Sequence, residues 1–238
     1  MGTPERGGEL SLPRIALQIC LLAAAFYWWT HPFIQPIKLM VVLLHEMSHG
    51  LMALASGGTV HSILITPDEG GACRSEGGNA ILVASAGYLG SIFFGGMILR
   101  SARGGSAVPS IYALLTLLVL GAAVTVLQDP YSRTFALSLA GSFIFLGLIA
   151  PGFIGAIVLR GIGTVSCLYA IFDIYSDTLT ARSDILVNDA EVFASLTGIP
   201  SQFVGIAWLA VSVAFFLSIL KASLAEMPAP ARAKAAAG

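Results

Sequence analysis

Charge is scarce in this chain. Only 11% of its 238 residues are Asp, Glu, Lys or Arg, against roughly 25% in an ordinary soluble domain. The formal net charge is −1, and no basic patch exists to offset phosphates, which excludes nucleic acid as a partner. Cysteine is scarce too. Cys20, Cys73 and Cys167 give no disulfide framework, and two of them sit in apolar runs, where cysteine acts as a small hydrophobe. There is no internal repeat. The first apolar run, Ile15–Trp29, has no small-residue cleavage site and ends in Tyr27-Trp28-Trp29, with Glu5 and Glu9 in its flank. Those aromatics suit a membrane interface, so a retained membrane helix is expected rather than a signal peptide. Arg6 stands where a myristoylated start needs Ser or Thr.

What fills the chain instead is apolar: 56% hydrophobic residues and a mean hydropathy of +0.86. The runs fall at about 15–30, 34–56, 79–99, 109–127, 134–158, 161–176 and 201–221. Most approach the ~20 residues that cross a ~30 Å hydrocarbon core, and in lipid such runs pair their backbone groups as helices. The first and sixth are short. The expected fold is an all-α polytopic membrane protein of six to seven transmembrane helices, embedded in the lipid bilayer as a multi-pass integral protein. The expected organisation is an N-terminal segment at 1–13, a single transmembrane domain at 14–223 and a disordered, Ala- and Pro-rich tail at 224–238. Arg160 reads as a helix-boundary residue reaching an interface, and Gln128-Asp129-Pro130 as a loop.

Two connections exceed a turn. Residues 57–78 are flanked by Gly-Gly and hold a β-prone run, Val60–Thr66, then Asp68-Glu69-Gly70-Gly71; this predicts a β-hairpin. Residues 177–200 are polar, and Asn188–Thr197 within them predicts a short helix closed by Gly198 and Pro200.

The stretch VVLLHEMSHGLMALASGG, residues 41–58, places His45, Glu46 and His49 among lipid-loving neighbours. The second helix starts near Pro36 and ends at Gly57-Gly58. His45 and His49 are four apart, so their imidazoles share a face and can both reach one Zn²⁺. Glu46 is offset around the helix, beside the metal as a base for activated water and not as a ligand. At ~1.5 Å per residue, His45 lies about 18 Å along the helix from Phe33, well inside the membrane. With four histidines and seven glutamates, chance yields H-E-x-x-H on the order of once in several hundred such chains. Ionisable groups at that depth cost at least ~2.5–3.5 kcal/mol each at a helix centre, which favours function.

HEMSHG in an early membrane helix, a Gly-flanked hairpin after it and the small-residue helix SAGYLGSIFFGG, residues 85–96, together resemble the site-2 protease family of intramembrane zinc metalloproteases. The closest resemblance is to its compact branch of metallopeptidase-like membrane proteins, over about 40–200. Ala86-Gly87 and Ser91 stand where the larger family tends to show Ala-Gly-Pro and Asn; Tyr88 replaces the proline. Gly87, Ser91 and Gly95 also make a smooth stripe for close helix packing. A catalytic zinc usually takes a third protein ligand. The resemblance implies an aspartate from a late-helix Leu-Asp-Gly motif, which this chain lacks. It offers LYAIFDIYSDTL, residues 168–179, in which Asp173 follows an apolar run and can point into the bundle. Asp173 is therefore the first choice, with Asp177 and Asp189 as alternatives.

The function these readings imply is an intramembrane zinc endopeptidase acting on a transmembrane protein substrate. Glu46 is the base, and His45, His49 and Asp173 hold the metal. The Val60–Thr66 strand can pair with an unwound substrate segment by β-addition. The competing reading is a non-catalytic zinc-binding scaffold for partner transmembrane helices. A transporter is disfavoured, because no paired, interrupted helices occupy matching halves.

Overall fold

The computed structural model describes residues 11–102, 107–180 and 188–225; the expected tail from 226 and the first ten residues lie outside it. In chain order the elements are α1 (Leu12–Tyr27), α2 (Gln35–Ala55), β1 (Thr59–Ile65), β2 (Gly71–Glu76), α3 (Ala80–Ser101), α4 (Val108–Thr125), α5 (Pro130–Ile149), α6 (Gly152–Leu179), α7 (Asp189–Thr197) and α8 (Ser201–Leu224). Of the described residues, 77% are helical. Among them, six helices (α2, α3, α4, α5, α6 and α8) are long and apolar enough to span a membrane; α1 is apolar but shorter. This is a multi-pass integral membrane protein, with the small sheet where the sequence placed a hairpin.

Local signals explain the helix starts. Proline opens α1, α2, α4 and α5, at positions where a missing N–H is no loss. Asn79 caps α3 by accepting from the Ile81 and Leu82 amides, and Asp129, in the expected loop, caps α5 through the Ser132 amide.

Burial divides the helices by role. α2 and α6 are largely enclosed, whereas α5 and α8 present most of their surface outward, as expected where the solvent is hydrocarbon. Small residues let the inner helices close up. A side chain at Gly90 would strike Ser48 of α2, and one at Gly95 would press on Ser166 and Cys167 of α6. The stripe on α3 therefore seats that helix against α2 and α6 at once.

The hairpin folds back along α2. Its strands pair antiparallel from Thr59↔Glu76 to Ile65↔Gly71, with an irregularity between Val60 and Ser62. The outer edge of β1 is already occupied. The Ile63 amide donates to the Val126 carbonyl at 2.9 Å, and Gln128 Nε2 donates to the His61 carbonyl at 2.9 Å. Ser132 Oγ takes the Ile65 amide at 2.8 Å and returns a bond to its carbonyl at 3.2 Å. β2 borders no second strand among the described residues.

The structure departs from the sequence pattern at two places. The break between the fifth and sixth runs lies at Ala150-Pro151, not near residue 160. Proline pushes its predecessor out of helical backbone, and Ala150 is indeed extended, with ψ 131°. Arg160 consequently sits inside α6 and is buried. It donates to Gln18 Oε1 of α1 at 3.1 Å and to the Ser223 carbonyl of α8 at 3.0 Å. It ties three helices together inside the bundle and reaches no interface.

Candidate metal centre

His45 and His49 lie on one face of α2, their ring centroids 4.8 Å apart. Across from them, the first residue of α7 brings in Asp189. Its Oδ2 lies 3.0 Å from His45 Nε2 and 3.1 Å from His49 Nε2. The three candidate ligand atoms all fall within 4.8 Å of one another. A Cβ added to Gly87 of α3 would come under 3.0 Å from all three, so the donors converge on space that exists because residue 87 has no side chain.

The donor chemistry fits a cation. His49 Nδ1 is 2.7 Å from the Val83 carbonyl oxygen. A carbonyl only accepts, so Nδ1 carries a proton and Nε2 is the atom turned to Asp189. The carboxylate oxygen it faces is buried, and at 3.1 Å the pair needs positive charge between its two atoms, from a proton on the ring or from a cation held in its place. Two imidazoles and a carboxylate are also a donor set that zinc favours, and the Val83 bond fixes the ring orientation as metal-site histidines require. Burial pushes the Asp189 carboxyl up, but the two imidazoles beside it outweigh burial and hold it at about 2. It is a carboxylate at any working pH.

The sequence pointed first to Asp173 as the third ligand; the residue that converges with the histidines is Asp189. Asp173 stands on α6, half-buried, close enough to His45, Asp189 and Glu46 to feel their charges, yet outside the group of three. The reason lies in the path of the chain, because α7 returns to the bundle and delivers its first turn to α2 and α3. Asp177 has another task. Tyr88 donates to its Oδ2 at 2.9 Å, while Asn188 Nδ2 donates to its carbonyl at 2.7 Å. Tyr88 also sets its ring edge-on to His45 at 5.0 Å. Asn188 in turn caps α7 in a reciprocal box with Glu191. Asp177 therefore braces the residue that precedes Asp189.

Glu46 is buried on α2, and β2 begins directly against it. A Cβ on Gly71 would lie within 3.0 Å of the Glu46 carboxyl group, so glycine is required for this approach. Cys73, two residues on, has its thiol pushed up to about 11 by burial and then by the charge of Glu46. It is protonated near neutral pH and unsuited to nucleophilic work. Sequence reasoning did not find the contacts made by Val83, Gly71 and Asn188. Of these only Asn188 left a signal, in the N-x-x-E spacing of a capping box.

The fold and the converging donors define a polytopic membrane protein with a candidate metal site enclosed by its helices. The sequence model of the Peptidase M50B-like family matches residues 18–219, and the chain belongs to that family, a site-2 protease-like group of membrane metallopeptidases. Comparison with curated proteins and with solved structures gave no match.

Proposed function

We propose that this protein is an intramembrane zinc endopeptidase hydrolysing a peptide bond in a membrane-spanning substrate, with His45, His49 and Asp189 as metal ligands and Glu46 as the base. The observation that carries this reading is the convergence of the three ligand atoms at Gly87, with the Glu46 carboxyl group on the same helix. Zinc bound there would polarise the scissile carbonyl and acidify a water. Glu46 takes the proton from that water and delivers it to the departing amine nitrogen, so one carboxyl group serves first as base and then as acid. Its burial keeps competing water and counter-ions away.

A transmembrane helix shields its carbonyls with its own hydrogen bonds, so the substrate must unwind before attack. The unwound segment then needs partners for its backbone. β1 cannot supply them, because its outer edge is taken by Val126, Gln128 and Ser132. The edge that fits is β2, which begins at Gly71 beside Glu46, and β-addition there would present an extended segment next to the base.

Glu46→Gln tests the chemistry. Cleavage of fluorescently labelled single-span peptides with a Gly-rich centre should vanish, with zinc content unchanged. Retained cleavage rules out Glu46 as base. Wild-type protein that holds zinc yet cleaves no such peptide supports the non-catalytic scaffold instead.

A further inference from the structure

The hairpin tip is fastened by a cluster that the reaction does not explain. Lys38, one turn into α2, holds its ammonium 3.2 Å from Glu69 Oε1. The same ammonium lies over the Trp29 ring at 5.0 Å and the Tyr169 ring of α6 at 5.9 Å. Beside it, Gln35 Nε2 donates to the Pro67 carbonyl at 2.7 Å. Residues from α2, α6, the segment after α1 and the hairpin turn thus meet around one cation, a setting in which ion pairing and cation–π attraction reinforce each other.

Glu69 is also where the backbone is strained. It has φ 69°, the sole non-glycine residue with positive φ among the described residues, while Gly70 stands next to it. A left-handed position of this kind favours glycine. Such a residue persists only where its surroundings over-determine it, and strain of this sort gathers at functional sites. Here the surroundings are Lys38 and its aromatic cage. Two residues further on, Gly71 meets Glu46 and β2 begins.

We infer that Lys38 and Glu69 form a clasp that seats the hairpin tip and, through Gly71, sets the position of Glu46 and of the open β2 edge. The two are positioning residues, and the inference rests on the endopeptidase reading above. The clasp bears on this side in particular. The outer edge of β1 is hydrogen-bonded to Val126 and Ser132, whereas β2 pairs only with β1 among the described strands and otherwise rests on α2 through Gly71 and Cys73, so the tip sets where that strand begins.

The test uses full-length protein in detergent, with Lys38→Met, Glu69→Gly and the conservative Lys38→Arg beside wild type. Glycine relieves the left-handed strain as it removes the carboxylate, so Glu69→Gly should melt close to wild type. Amide exchange across residues 71–76 should nevertheless become several-fold faster in Glu69→Gly and Lys38→Met. Zinc content should not change. The kcat/KM on the labelled single-span peptides should fall by about tenfold to a hundredfold, the scale on which small misplacements act. Lys38→Arg, which keeps both the ion pair and the cation–π contact, should stay near wild type in both measurements. Unchanged exchange in Lys38→Met and Glu69→Gly overturns the clasp, as does faster exchange with full activity. Wild-type protein that binds zinc but cleaves none of the peptides overturns the endopeptidase reading separately, and exchange then still decides whether the clasp holds the tip.

Discussion

At the scale of single residues, the centre depends on an absence as much as on its donors. Gly87 sits mid-helix, where alanine would normally be preferred by about 1 kcal/mol. Yet a methyl group there would enter the space shared by His45 Nε2, His49 Nε2 and Asp189 Oδ2. Gly87→Ala should therefore leave a folded, helical protein that holds little zinc, read by circular dichroism and metal analysis of the same sample. Full zinc occupancy in that variant would mean that the donors do not converge as described. His45, Glu46 and His49 were legible because helical spacing alone puts the two imidazoles together. Gly87 was legible only as a packing residue, since a helix face says nothing about which neighbour will use the gap. Apolar context favours Asp173 as the inward-pointing carboxylate. Asp189 meets both histidines from a polar connection, by the path of the chain through space.

At the scale of elements, α7 is the piece that completes the site. It has nine residues and lies outside the candidate spans. Its start is fixed by the Asn188–Glu191 capping box and by the Asn188 bond to the Asp177 carbonyl; Gly198 ends it in left-handed backbone with φ 76°. Loss of such a cap costs about 0.5–2 kcal/mol. Asn188→Ala touches no donor, yet it should weaken zinc binding by roughly tenfold, since about 1.4 kcal/mol is a decade in affinity. Competition with a chelator would measure this, and unchanged affinity would show that α7 docks without the cap. The short helix and the hairpin were both readable, because Gly, Pro and Asn mark turns by local physics. The limits of α5 and α6 were not. Pro151 lies inside an apolar stretch, and Arg160 looked like a boundary because its partners, Gln18 and the Ser223 carbonyl, come from the far ends of the chain. The role of β1 was likewise hidden. A strand's sequence shows its propensity but not which edge another segment will cover.

At the scale of the whole molecule, burial and composition agree on a bundle that keeps polar chemistry inside an apolar shell. The enclosed helices α2 and α6 carry His45, Glu46, His49, Asp173 and Asp177, while the outward faces of α5 and α8 are apolar. That contrast was plain from hydropathy, and so was the class of fold. A metal held in the enclosed centre through Asp189 is what gives this interior its chemistry. The direct test is zinc per polypeptide in protein purified without chelators, for wild type, Asp189→Asn and Asp173→Asn. About one zinc in the wild type, a clear loss in Asp189→Asn and retention in Asp173→Asn is the predicted result. Zinc kept in Asp189→Asn, or none in the wild type, would contradict it.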